Sequence, residues 1–125
     1  LFLDLDRFKA LNDRFGHDRG DQVLRAVVQR IQSGLRDTDT LARWGGEEFL
    51  VLSPQSTCEG ANLLAERLRQ ILAESPIEAV GQVTASFGVA GYVEGDTLDT
   101  LVKRADAGLY AAKHAGRNRV CSVES

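Results

Sequence analysis

The sequence predicts an α/β sandwich, a mixed sheet with helices packed around it and one antiparallel β-hairpin in the middle of the element order. Three observations carry that expectation. Apolar residues recur at helical spacing in four segments, short apolar or alternating runs lie between those segments, and Gly45-Gly46 joins two of the runs. In order the elements read β-α-α-β-β-α-β-α-β, and strands interleaved with helices around one antiparallel hairpin are close to the ferredoxin-like arrangement.

Leu1 to Leu5 is a short buried strand interrupted by Asp4, an acid near its C-terminal end. Asp6 is expected to cap a short helix in which Phe8, Leu11 and Phe15 recur at helical spacing and Gly16 supplies the left-handed stop. Gly20-Asp21 opens a longer helix with the stripe Val23, Leu24, Val27, Val28, Ile31 and Leu35. The strand Thr40 to Trp44 then turns through Gly45-Gly46, a two-residue connection that needs positive φ at both central positions. Ser56 to Glu59 has the spacing of a capping box and starts a helix that ends before Pro76. Gln82 to Tyr92 alternates as a strand, with Gly88 inside it where a neighbour comes close. Thr97 caps the last helix, which carries Leu98, Leu101, Val102, Ala105, Leu109 and Ala112 on one face, and Arg119 to Ser122 forms the final strand.

At 125 residues and 43% hydrophobic, residues 1–125 fit one domain with a sizeable core. A net charge of -3 with both signs interspersed excludes the dominant basic field that a nucleic-acid groove requires. No apolar run reaches the length of a membrane span and no targeting segment is visible, so direct membrane contact is not expected and the domain reads as cytoplasmic. Cys58 and Cys121 lack metal-ligand spacing and read as free thiols of a reducing compartment. The chain opens in a strand and contains no Met, the pattern of an N-terminally truncated piece of a longer protein.

The residues that carry chemistry surround the hairpin. Glu47 and Glu48 follow it, and adjacent strand residues would point to opposite faces. If the first strand pairs centrally with the one after the hairpin, Asp4 and Glu47 become neighbours. Two carboxylates suit Mg²⁺, which takes one or two of them together with water and phosphate oxygens. The turn Asp6-Arg7-Phe8-Lys9 presents free backbone N–H groups at a helix start, a favourable place for phosphate, and Lys9 adds a charge. Each of these features taken singly has a plainer reading: a hairpin with solvated acids, a helix end at Asn12-Asp13, a helix start at Gly20-Asp21, a favourable charge pair at Lys113 and Arg117.

Together they resemble a known family. Asp4-Leu5-Asp6-Arg7-Phe8-Lys9-Ala10-Leu11-Asn12-Asp13, Gly16-His17, Gly20-Asp21, Arg43-Trp44-Gly45-Gly46-Glu47-Glu48-Phe49 and the run Ala105 to Asn118 are similar to the GGDEF domain of bacterial diguanylate cyclases, in order and over nearly the whole chain. The resemblance implies a nucleotidyl-cyclase-like sheet and the condensation of two GTP molecules into cyclic di-GMP with release of pyrophosphate. It implies Mg²⁺, with Mn²⁺ as the alternative, held by Asp4, the Leu5 carbonyl and Glu47. Glu47 would be the main acid, and Glu48 would support the metal or help deprotonate the attacking 3′-hydroxyl. Phe8 and Lys9 would meet the substrate, Asn12 and Asp21 would read guanine, and His17 would sit near the ribose. Lys113 and Arg117, four residues apart, would share one helix face and reach the β- and γ-phosphates.

Arg36-Asp37-Thr38-Asp39 alone is an ordinary charged loop. At its distance from Gly45 it resembles the family's inhibitory site for product, with Arg67 as a third member. A symmetric product from two identical substrates implies a homodimer for catalysis. The competing reading is a non-catalytic GTP or cyclic di-GMP receptor domain. A related nucleotidyl cyclase with another base would need a different pair than Asn12 and Asp21.

Overall fold

The computed structural model describes residues 1–54 and 56–123. Its elements follow the expected order: β1 (Phe2–Leu5), α1 (Phe8–Phe15), α2 (His17–Gly34), β2 (Thr40–Arg43), β3 (Glu48–Leu52), α3 (Cys58–Glu74), β4 (Ala85–Ala90), α4 (Leu98–His114) and β5 (Val120–Val123). The strands form one five-stranded sheet of order β2-β3-β1-β4-β5, so β1, with Asp4, lies in the middle. β1 runs antiparallel to both β3 and β4, whereas β4 and β5 are parallel and joined through α4. A parallel pair needs such a crossover, which makes the sheet mixed.

Strand alternation assigns the two faces. Leu1, Leu3, Leu5, Phe49, Val51, Ala85, Phe87 and Val89 point to one side and form the main core with Phe8, Val23, Val27 and Ile31 and with Ala65, Leu68 and Leu72 of α3. On the other side Phe2 and Leu50 pack against Ala105 and Leu109 of α4. Close contact between α4 and the sheet depends on two glycines. A Cβ on Gly88 would lie 1.9 Å from the Ala105 carbonyl oxygen, and one on Gly108 would lie 2.7 Å from the Cys121 carbonyl oxygen. The glycine inside the fourth strand thus admits a helix backbone.

Several boundaries differ from the sequence reading, each for a local reason. The hairpin connection spans four residues, Trp44 to Glu47, closed by bonds from the Trp44 and Gly45 N–H groups to the Glu48 carbonyl. Neither Gly45 nor Gly46 is among the positive-φ glycines, so the tight two-residue turn is not formed. Gly45 is instead crowded by the Glu48 carboxylate, 2.6 Å from where its Cβ would lie. Asp6 does not cap α1; the N-cap is Arg7, at φ 55, without a side-chain cap bond. α2 starts at His17, and Gly20 lies within it, packed against Asn12 and Phe8. Thr57, not Ser56, caps α3, and Thr97 with Thr100 forms a capping box on α4. β4 begins at Ala85, three residues after Gln82. Among the described residues no helix is long and apolar enough to cross a membrane.

Candidate active site

The β1–β3 register sets Asp4 opposite Glu48, and the Leu5 N–H donates to the Glu47 carbonyl at 3.2 Å. Asp4 therefore meets both glutamates where β1 leaves the sheet. It is 6% exposed, faces α4, and accepts from the Lys113 ammonium through Oδ2. Its other oxygen, Oδ1, is buried and has no hydrogen-bond partner among the described residues. Burial first, and then the negative charge of Asp4, pushes Glu47 and Glu48 above the ordinary carboxylate range, while Lys113 pulls both the other way. Glu47 precedes β3 and lies outside its alternation, so the expectation that the two glutamates divide between opposite strand faces does not hold for it.

This donor set fits a hard, partly hydrated dication. It offers an orphaned buried carboxylate oxygen and two crowded glutamates, and a divalent charge would relieve their repulsion. Among the described residues no group of three or more His, Cys, Asp or Glu side chains is placed to hold a metal ion, so a dication here would take fewer of these groups. Such a site would leave coordination positions for water or phosphate.

The residues that the sequence singled out for a nucleotide lie on α1 and α2 and at the end of α4. Phe8 is buried in the core, and Lys9 is exposed in the first turn of α1. The Asn12 Oδ1 is buried, with no hydrogen-bond partner among the described residues, beside Gly20, where a Cβ would meet it at 1.8 Å. His17 and Asp21 are exposed on the first two turns of α2. Glycine at position 20 lets α1 and α2 approach and keeps the Asn12 amide in place, a packing role that its position near a helix start concealed.

Lys113 and Arg117 do not share a helix face. α4 ends at His114, and Gly116, Arg117 and Asn118 follow at φ 125, 64 and 46, with the Arg117 N–H donating to the Ala112 carbonyl. Arg117 therefore sits on a left-handed turn. Sequence reasoning also missed Asp6, which accepts from Thr84 Oγ1 at 2.7 Å, Ser86 Oγ at 2.6 Å and the Asn118 N–H at 3.0 Å. An acid just before a helix carries the same signature whether it caps or bridges strands, so the sequence offered no discriminating signal.

Away from this pocket Arg36 and Asp39 form an ion pair at 3.2 Å. The Arg36 guanidinium also donates to Ser53 Oγ and Ser56 Oγ, each at 2.8 Å, and Ser53 donates to Asp39. Burial alone would raise the Asp39 pKa, but the Arg36 N–H and guanidinium and the Ser53 hydroxyl outweigh it and hold the carboxylate below its usual range. Arg67 is exposed on α3, and among the described residues no hydrogen bond links it to that pair.

A mixed sheet in this order, with a buried acid on its central strand and a lysine reaching it from α4, defines a ferredoxin-like domain built on the plan of the nucleotidyl cyclases. The chain belongs to the GGDEF family: residues 1–119 match the family model described as diguanylate cyclase, GGDEF domain. It is 46% identical to diguanylate cyclase VdcA of Vibrio cholerae over 126 residues, which cover 96% of this chain and 37% of that protein. The chain therefore spans little more than a third of that curated relative. The GGDEF domain of DgcB from Caulobacter crescentus, solved with c-di-GMP, superposes with a TM-score of 0.94 at 36% identity, covering 99% of this chain and 76% of that one. The active GGEEF domain of a Vibrio cholerae diguanylate cyclase gives 0.92 at 39% identity, covering 99% and 81%.

Proposed function

We propose that this domain is a diguanylate cyclase that joins two GTP molecules into cyclic di-GMP and releases two pyrophosphates. The observation that carries the reading is Asp4, buried with one oxygen on Lys113 and the other unpartnered beside two crowded glutamates. Asp4, the Leu5 carbonyl and Glu47 would hold Mg²⁺ or Mn²⁺, which when bound supplies Lewis-acid stabilisation of charge on the triphosphate.

The residues of the chain do the rest. Backbone N–H groups at Phe8 and Lys9, in the first turn of α1, receive phosphate oxygens, and Lys113 and Arg117 bind the β- and γ-phosphates. Asn12 and Asp21 pair with the guanine edge, and an unpaired polar group there penalises the wrong base. His17 lies near the ribose. The 3′-oxygen of one GTP attacks the α-phosphorus of the other. A P–O bond forms as the bond to the β-phosphate oxygen breaks, and Glu48, or water it orients, takes the hydroxyl proton. Two such transfers close the ring, so two domains face each other across a two-fold axis, each holding one GTP. GTP as substrate suits a cytoplasmic domain.

Arg36, Asp39 and Arg67 would bind the product and restrain the enzyme. The cluster of Arg36, Asp39, Ser53 and Ser56 holds one guanidinium at an exposed position, and a guanidinium suits both phosphodiester and guanine. The reading is tested by incubating an artificially dimerised chain with GTP and Mg²⁺ and separating the products.

A further inference from the structure

Asp6 lies two residues beyond Asp4, and its carboxylate joins β4 to the turn that carries Arg117. Its donors are the hydroxyls of Thr84 and Ser86 and the backbone N–H of Asn118. Arg117 and Asn118 are consecutive non-glycine residues in the left-handed region, at φ 64 and 46. Such a pair is sterically disfavoured and persists only where the surroundings impose it. The imposition comes from two sides. Asp6 holds the backbone of Asn118, and Arg69 of α3 donates to the Asn118 side-chain oxygen at 2.9 Å. Glu66 in turn fixes the Arg69 guanidinium through its Nε, at 3.0 and 3.1 Å, and through its Nη2.

We propose that Asp6 and Arg69 are positioning residues that clamp the Gly116 to Asn118 turn, so that Arg117 is presented beside Lys113 to the terminal phosphates of a bound nucleoside triphosphate. The inference rests on the phosphate role proposed above for Arg117. The clamp reaches the nucleotide only through that arginine. Its loss therefore affects a ligand with β- and γ-phosphates and spares one without them.

The test is calorimetry on the full chain with Mg²⁺, using α,β-methylene GTP, which cannot be cleaved at the reacting bond, and GMP. Arg69→Ala should weaken the triphosphate analogue by roughly tenfold, as expected when a binding group is misplaced, and leave GMP binding unchanged. In an Arg117→Ala background it should add no further loss, and Arg69→Lys should recover part of the affinity. Asp6→Ala should act likewise, but it also releases the Thr84 and Ser86 hydroxyls, so the Arg69 variant on α3 carries the decision. Equal weakening of both nucleotides, or a full additional loss on top of Arg117→Ala, would overturn the clamp. If Arg117→Ala weakens the triphosphate while Arg69→Ala and Asp6→Ala do not, the clamp fails and the phosphate role stands. If Arg117→Ala has no effect, both fail.

Discussion

Lys113 of α4 donates to Oδ2 of Asp4 on the central strand at 2.5 Å, bringing together residues 109 positions apart in sequence. The pair is asymmetric. The Lys113 side chain is 34% exposed, whereas that of Asp4 is 9% exposed and keeps one oxygen without a partner among the described residues. Without Lys113 the buried carboxylate would face Glu47 and Glu48 uncompensated. Lys113→Ala should therefore destabilise the fold by about 2–3 kcal/mol, somewhat less than the loss of a fully buried partner. Urea unfolding with and without Mg²⁺ checks this, and the deficit should narrow when the cation is present. A deficit indifferent to Mg²⁺ would argue against a cation among these acids.

The raised pKa values of Glu47 and Glu48 give a pH dependence of definite sign. A carboxyl that binds its proton more tightly in the folded chain contributes stability below its ordinary value, and that contribution is lost as pH rises through the folded pKa. Asp39 and Glu66, held low, act in the opposite sense, so the comparison has to be made against a variant. Glu47→Gln/Glu48→Gln should gain stability relative to the parent as pH rises from about 4.5 towards neutrality. Thermal unfolding at a series of pH values reads it directly, and a constant difference would mean that the glutamates are not crowded.

Guanine selection is expected to depend on a glycine that touches no nucleotide. The Asn12 Oδ1 is buried against Gly20 and unpartnered among the described residues, so a methyl group at position 20 would push the amide aside. Gly20→Ala should reproduce Asn12→Ala, each costing about 1–3 kcal/mol in GTP binding and eroding the preference over ATP. Asp21→Ala should do the same without disturbing the α1–α2 contact. Calorimetry with both nucleotides tests it, and undiminished discrimination in all three variants would exclude this pair as the base reader.

These cases also mark what the sequence made legible. The faces of the sheet could be read because Leu3, Phe87 and Val89 alternate and the stripe Val23, Val27, Ile31 follows the helical period, so burial is written into spacing. The pairing of the strands that carry Asp4 and the glutamates could be read, but its register could not: it sets Asp4 opposite Glu48, while Glu47 meets the Leu5 N–H through its carbonyl. The Arg117 turn could not be read, since its conformation is imposed by Asp6 and Arg69, residues distant in sequence. Gly20 and Gly45 were ambiguous for another reason: a missing side chain serves a boundary, a turn or a close contact equally well.

Feedback by product would act through a shift of population. Cyclic di-GMP bound at Arg36, Asp39 and Arg67 must favour the unproductive arrangement of two domains, with a coupling of roughly 1–3 kcal/mol. Arg36→Ala should relieve inhibition and leave the initial rate unchanged, since that cluster lies apart from the Asp4 pocket. Progress curves with added cyclic di-GMP decide it, and unchanged inhibition in Arg36→Ala and Asp39→Ala would return the stretch to an ordinary charged loop.

The central claim is turnover at the Asp4, Glu47 and Glu48 pocket, and the most direct measurement is chromatography of the products after an artificially dimerised chain is incubated with GTP and Mg²⁺. The account predicts cyclic di-GMP and pyrophosphate, both lost in a folded Glu47→Gln variant. GTP bound but recovered unchanged would instead make the domain a receptor, and product formed by Glu47→Gln at the parent rate would contradict the assignment of the acid.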